Sequence, residues 1–202
     1  MLYTLIDIET TGFNRVSDEM LEFGYMQIDS KYDIVRHGTL YFYKDGWELN
    51  PEAQRVNGIT REMLIPHKDE FEGNIVRLYS LMSGGIVIGK NSDSFDIPFI
   101  TSFLQKYASE LRPMCVKATL DLQDVYTKKF QSYYKEKYGV STRKKGKLEE
   151  LVVMIGLNDA VIRREFTKRF PDERAGAHSA LYDVFMSYLL LKYAILNYGV
   201  TL

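Results

Sequence analysis

The chain has 202 residues, 46% of them hydrophobic, which is enough for one sizeable core and predicts a single domain over residues 1–202. A formal net charge of −1 excludes a uniformly basic surface, so any contact with a polyanion must rest on a local patch. A lone cysteine, Cys115, excludes an internal disulfide; with no apolar run of membrane-spanning length and no leader-like start, the expectation is a cytoplasmic protein that contacts no membrane.

In chain order, the apolar run Leu2 to Ile8 predicts a buried strand, Leu21 to Ile28 a second, and Ile34 to Tyr43 a third after a turn at Ser30 to Asp33. These three form an expected antiparallel meander. Asn50 and Pro51 announce a short helix that Gly58 stops, and Thr60, Arg61 and Glu62 start another. Phe71, Ile75, Leu78 and Met82 fall at helical spacing, and Gly84 and Gly85 end that helix.

Ile86 to Gly89 has the short apolar character of a fully buried strand. A loop over Asn91 to Asp96 leads to a helix over Ile97 to Leu111, with Pro98 tolerated in its first turn. Val116 to Leu122 predicts a fifth strand that runs into a helix from about Asp124. Further helices are expected over Leu148 to Ile155, Asp159 to Phe170 and Ser179 to Asn197, the last ended by Gly199. A meander followed by alternating strands and helices implies an α/β fold with a mixed sheet covered on both faces.

Chemistry concentrates at three places. Asp7 and Glu9 close the first strand at a spacing of two, which puts both carboxylates on one face, where they repel unless a cation sits between them. Alone, the pair reads equally well as the wet end of an edge strand. Thr10, Thr11 and Gly12 suit a turn whose backbone approaches a substrate. Asp96 follows the buried strand Ile86 to Gly89, at the strand end where ligands gather in α/β sheets, although an Asp there is also an ordinary helix cap. His178 and Asp183 lie about 140° apart around a helix and so cannot share one face. The expected arrangement has His178 in a loop, exposed to the site and free to move, Ser179 as N-cap and Asp183 in the first turns. His37 and His67 lack such company and read as structural or surface residues.

The segments Asp7 to Gly12 (DIETTG), Val87 to Asp96 (VIGKNSDSFD) and Ala177 to Asp183 (AHSALYD), in this order, resemble the three motifs of the DEDDh 3′-to-5′ exonuclease superfamily. The resemblance extends over Met20 to Asp29 and Val56 to Thr60 and so spans most of the chain. It implies a ribonuclease H-like fold, a five-stranded mixed sheet flanked by helices. It further implies Asp7, Glu9, Asp96 and Asp183 as ligands of two Mg²⁺ or Mn²⁺ ions, and His178 as general base. Oxygen ligands suit these hard cations, and a histidine titrates where a neutral-pH base must. Thr10, Thr11 and Gly12 are then expected at the terminal nucleotide, with Asn91 and Phe95 beside it. Lys90 and Asn57 stand where the family often has His; neither is a catalytic position.

The implied substrates are single-stranded DNA or RNA 3′ ends, DNA favoured, released as nucleoside monophosphates. Lys128 to Lys147 holds eight Lys or Arg against one Glu, interleaved with Phe130, Tyr133, Tyr134 and Tyr138. Cations beside rings suit single-strand binding, and a solvated helix face with a basic loop is the competing reading. The short stretch after the last helix, to Leu202, predicts a free-standing enzyme, a polymerase partner being compatible but not required. The alternatives are a polymerase-associated proofreading subunit, a short-RNA exoribonuclease and a non-catalytic nucleic-acid-binding module.

Overall fold

The structure is a computed structural model and describes residues 2–202. Five strands form one mixed sheet in the order β3-β2-β1-β4-β5. They are β1 (Tyr3–Thr10), β2 (Met20–Ile28), β3 (Ile34–Tyr41), β4 (Ile86–Gly89) and β5 (Ala118–Asp121). The predicted meander is present: β1 pairs antiparallel with β2, and β2 with β3. On its other side β1 runs parallel to β4, and β4 parallel to β5. The β1 strand is therefore central, which removes the edge-strand reading of Asp7 and Glu9.

Eight α-helices accompany the sheet among the described residues: α1 (Pro51–Asn57), α2 (Arg61–Leu64), α3 (Phe71–Met82), α4 (Asp96–Tyr107), α5 (Leu122–Tyr138), α6 (Leu148–Met154), α7 (Asp159–Arg169) and α8 (Ala180–Tyr198). A 3₁₀ segment, Ile65–Glu70, joins α2 to α3. The alternation of β1 sorts two cores. Tyr3 and Leu5 join Met26 and Ile28 against α5 to α8, while Ile6 and Ile8 join Phe23 and Val87 against α3 and α4. Helices thus cover both faces, as expected for the ribonuclease H-like arrangement.

Several boundaries differ from the sequence expectation. The β1 ladder continues past Ile8 through Thr10, with a register shift between Glu9 and Thr10, so Thr10 is strand and not turn. The third strand stops at Tyr41, because Phe42 and Tyr43 turn into the aromatic cluster of Trp47 and Phe71. The fifth strand stops at Asp121, whose side chain accepts the Gln123 N–H at 2.8 Å and starts α5 two residues before Asp124. Helix α4 ends at Tyr107, four residues before the expected Leu111, with Ala108 out of helical geometry.

Candidate active site

Because β1 alternates, Asp7 and Glu9 extend the face of Tyr3 and Leu5 toward α8. Gly24, paired with Asp7, is what lets α8 come close: a Cβ there would lie 2.4 Å from the Ala180 carbonyl carbon and the Leu181 nitrogen. The N-terminal end of α8 therefore rests on the strand backbone, and Asp183, in its first turn, reaches the two β1 carboxylates. Carboxylate and imidazole atoms of Glu9, Asp183 and His178 lie within 4.8 Å of one another, a cluster able to hold a divalent metal. Asp96 enters from the start of α4. Its Oδ1 accepts the Ile8 N–H at 3.1 Å, so the side chain is aimed at the centre of the sheet and does not serve as an ordinary N-cap.

These acids are crowded and dry. Burial, then Asp183, Asp96, Glu9 and Glu22, push the Asp7 carboxyl well above its usual range. Burial and the Asp183 and Glu22 charges raise Glu9 to about 9. Asp183 rises to about 8 through burial and the Glu149 charge, and burial raises Asp96 to about 7. Asp183 Oδ1 is buried without a hydrogen-bond partner, although its Oδ2 accepts the His178 N–H at 3.3 Å. Several oxygen donors, mutual repulsion and one orphaned oxygen are the chemistry that a hard divalent cation satisfies. The residues present fit such an ion.

The loop before α8 is tied down, unlike the free-moving loop expected from the sequence. His178 holds a left-handed backbone with φ 62°. Arg174 Nη2 donates to the His178 carbonyl at 3.2 Å and to Glu22 Oε2 at 2.7 Å, and its Nη1 donates to the Asn57 carbonyl at 2.7 Å. Glu22 is fully buried, and its Oε1 accepts the Ala180 N–H at 3.2 Å. Burial pushes the Glu22 carboxyl up against the pull of Arg174. Ser179 occupies the N-cap position but makes no side-chain cap bond, and Glu22 satisfies the Ala180 N–H at the start of the helix. The imidazole stays half-exposed, with Nε2 3.9 Å from Glu149 Oε1.

A cleft of about 370 Å³ opens beside Glu9, lined by Thr10, Gly12, Phe13, Asn50, Val56 and Asn57 among others. The Thr10 and Thr11 side chains are turned inward: Thr10 Oγ1 donates to the Gly12 carbonyl at 2.6 Å, and Thr11 Oγ1 accepts the Glu19 N–H at 2.9 Å. Gly12 leaves room for Asp18, whose carboxylate would lie 2.4 Å from a Cβ. Phe95 reaches the cleft through Phe13, the ring centroids being 6.1 Å apart. Asn91, in contrast, is held toward β5: its N–H donates to Asp121 Oδ1 at 2.7 Å and its Oδ1 accepts from Gln123 at 2.9 Å.

Lys90 lies among the acids, where burial holds its ammonium below the usual value against the opposing charges of Glu149, Asp121, Asp7 and Asp96. His37 packs its ring on Phe170 at 4.3 Å and His67 meets Glu70 at 3.0 Å, both away from the cluster. Glu22, Arg174 and Glu149 were not singled out from the sequence. The one signal was Glu22 itself, a carboxylate on the face that Gly24, Met26 and Ile28 bury.

Residues 4–150 match the RNase_T exonuclease family. The chain belongs to this family. The matched segment carries Asp7, Glu9 and Asp96, whereas His178 and Asp183 join them through the fold. Among relatives, the PolC-type DNA polymerase III of Ureaplasma parvum is 29% identical over 108 residues, covering 54% of this chain and 7% of the polymerase. That of Thermotoga petrophila is 27% identical over 104 residues, covering 52% and 7%. The chain thus spans a small fraction of the polymerases it matches. In fold, this family member is similar to E. coli exonuclease I in complex with a dA16 oligonucleotide, with a TM-score of 0.69 at 21% identity, covering 96% of this chain and 40% of that one. Exonuclease I in complex with dT13 gives 0.66 at 21%, covering 96% and 40%. Among the described residues no helix is long and apolar enough to cross a membrane.

Proposed function

We propose that this protein is a metal-dependent 3′-to-5′ exonuclease that hydrolyses the terminal phosphodiester bond of single-stranded nucleic acid, DNA favoured over RNA, and releases nucleoside monophosphates. The observation that carries this reading is the convergence of Asp7, Glu9, Asp96 and Asp183 with His178, with one Asp183 oxygen left buried and unpartnered. Family membership supports it, as does the likeness in fold to exonuclease I bound to oligonucleotides.

Asp7, Glu9, Asp96 and Asp183 would hold two Mg²⁺ or Mn²⁺ ions, which when bound activate the attacking water and neutralise charge at the phosphate. The His178 imidazole takes the proton of that water, and its half-exposed position lets the proton pass on to solvent. Arg174, through the His178 carbonyl, fixes the backbone from which the ring projects. The cleft beside Glu9, lined by Thr10, Gly12 and Phe13 with Phe95 behind Phe13, receives the terminal nucleotide.

The test is degradation of 5′-labelled single-stranded DNA and RNA oligomers in Mg²⁺, beside a chelator control and Asp7→Ala. A metal-dependent ladder shortening from the 3′ end is expected, with DNA the faster substrate. Full activity of Asp7→Ala in Mg²⁺ would overturn the assignment. The likeness to PolC-type polymerases favours a second reading, a proofreading exonuclease that works beside a polymerase. Stoichiometric co-purification with a polymerase would establish it.

A further inference from the structure

Resting on the exonuclease reading above, we propose that the groove between α5 and α6 holds the bases of single-stranded DNA just 5′ of the nucleotide being removed, by stacking on Tyr134 and Tyr138. Helix α5 runs past the core it covers. Phe130 is buried, and Tyr134 and Tyr138 follow at intervals of four on the same helix face, climbing from the core to solvent. The Phe130 and Tyr134 centroids are 6.0 Å apart and those of Tyr134 and Tyr138 4.6 Å, a continuous ladder of rings. Tyr138 is 55% exposed, and Val153 on α6 across from it 47%.

Between them is a cleft of about 280 Å³, with Phe130, Tyr133, Tyr134, Tyr138 and Val153 as its apolar lining and Lys137, Glu149 and Glu150 as its charged lining. Its Glu149 wall is the carboxylate that stands 3.9 Å from His178 Nε2, so the groove opens beside the candidate general base. On this proposal, a strand whose 3′ end lies at the carboxylates continues past His178 and Glu149 into this groove.

Positive charge comes from Lys137, which lines the cleft, and from the loop between α5 and α6. Lys137 Nζ donates to the Tyr133 hydroxyl at 2.8 Å and lies 5.4 Å from the Tyr138 centroid. Arg143, Lys144, Lys145 and Lys147 stand exposed on the loop that joins the two helices. Lys129 is not part of this rim, since it packs over Tyr198 at 3.6 Å. Of the two acids nearby, Glu150 accepts the Lys147 N–H at 2.7 Å and Glu149 faces His178. A cationic rim over an aromatic floor matches phosphates outside and bases inside, and a partner protein with an apolar face would gain nothing from the rim.

The experiment measures anisotropy of a labelled thymidine oligomer of about twelve residues in EDTA, together with kcat/KM for that oligomer and for a dinucleotide in Mg²⁺. Tyr134→Ala combined with Tyr138→Ala should weaken oligomer binding roughly tenfold and collapse the preference for oligomer over dinucleotide, and Tyr138→Trp should keep both. Lys144→Gln with Lys145→Gln should flatten the log–log salt dependence of binding by about 1.4. A folded double-tyrosine variant that binds the oligomer as the parent does, with its length preference intact, overturns the groove. Protein that shortens no oligomer in Mg²⁺ yet binds it through these tyrosines would refute the exonuclease reading and leave the groove standing.

Discussion

At the scale of single residues, the site is a set of groups that are individually ill at ease. Burial and like charges raise Asp7, Glu9, Asp96 and Asp183 together, so each carboxylate is held where it is least stable without a cation. Asp7→Asn removes a carboxyl whose ionised form is penalised by burial and by its acidic neighbours. It should abolish hydrolysis while raising the melting temperature of metal-free protein at pH 9 by about 3 °C, as about 1 kcal/mol does in a chain of this size. Differential scanning fluorimetry beside the oligomer assay reads both, and a lower metal-free melting temperature would contradict the repulsion argument. For His178→Ala, kcat should fall by roughly a hundredfold or more with oligomer affinity unchanged, the signature of a proton-transfer group. The five residues of this set were legible because each sits in a short pattern at a strand or helix end. Glu22 and Arg174 were not, being 152 residues apart in the chain, and a salt bridge between distant segments leaves no local pattern.

Among the secondary-structure elements, the site depends on how closely α8 approaches the sheet. The close approach is permitted by one missing Cβ, at Gly24, and held by one buried ion pair. Gly24→Ala should cost about 2 kcal/mol, as overpacking against backbone does, and should cut activity further by moving Asp183 away from Asp7 and Glu9. Thermal unfolding and kcat/KM would show both; an active, fully stable Gly24→Ala protein would mean that the helix contact is not limiting. Arg174→Ala leaves Glu22 buried without its cation, and breaking such a pair from one side costs about 3 kcal/mol. The same change frees the His178 carbonyl and the Asn57 carbonyl, so kcat should fall even at temperatures where the variant is folded. Arg174→Lys should rescue little, because one ammonium cannot reproduce the forked contacts. Element types were readable from periodicity and from Gly and Pro punctuation. The ends of β3, α4 and β5 were not, since a tertiary aromatic cluster and the Asp121 cap decide two of them.

For the whole molecule, the raised carboxylates make stability depend on pH and metal together. An acid whose folded-state pKa exceeds its unfolded value holds its proton more tightly when folded, so the stability it contributes is complete below the unfolded value and is lost as pH rises through the folded one. Glu9 moves from 4.5 to about 9, and Asp183 and Asp96 from 3.8 to about 8 and about 7. Metal-free protein should therefore lose stability progressively from about pH 4 to about pH 9, most steeply between about 5 and 7, where all three groups are ionised in the unfolded chain and protonated in the folded one, and less steeply above 7 as they ionise in the folded state. Mg²⁺ binds the ionised carboxylates and competes with those protons, so its stabilising effect should grow over the same interval. Melting curves in EDTA and in Mg²⁺ from pH 5 to pH 9 should diverge as pH rises, with proton release on metal addition near pH 7. Parallel curves would mean that the carboxylates do not bind the ion, and would remove the physical basis for the metal-dependent chemistry.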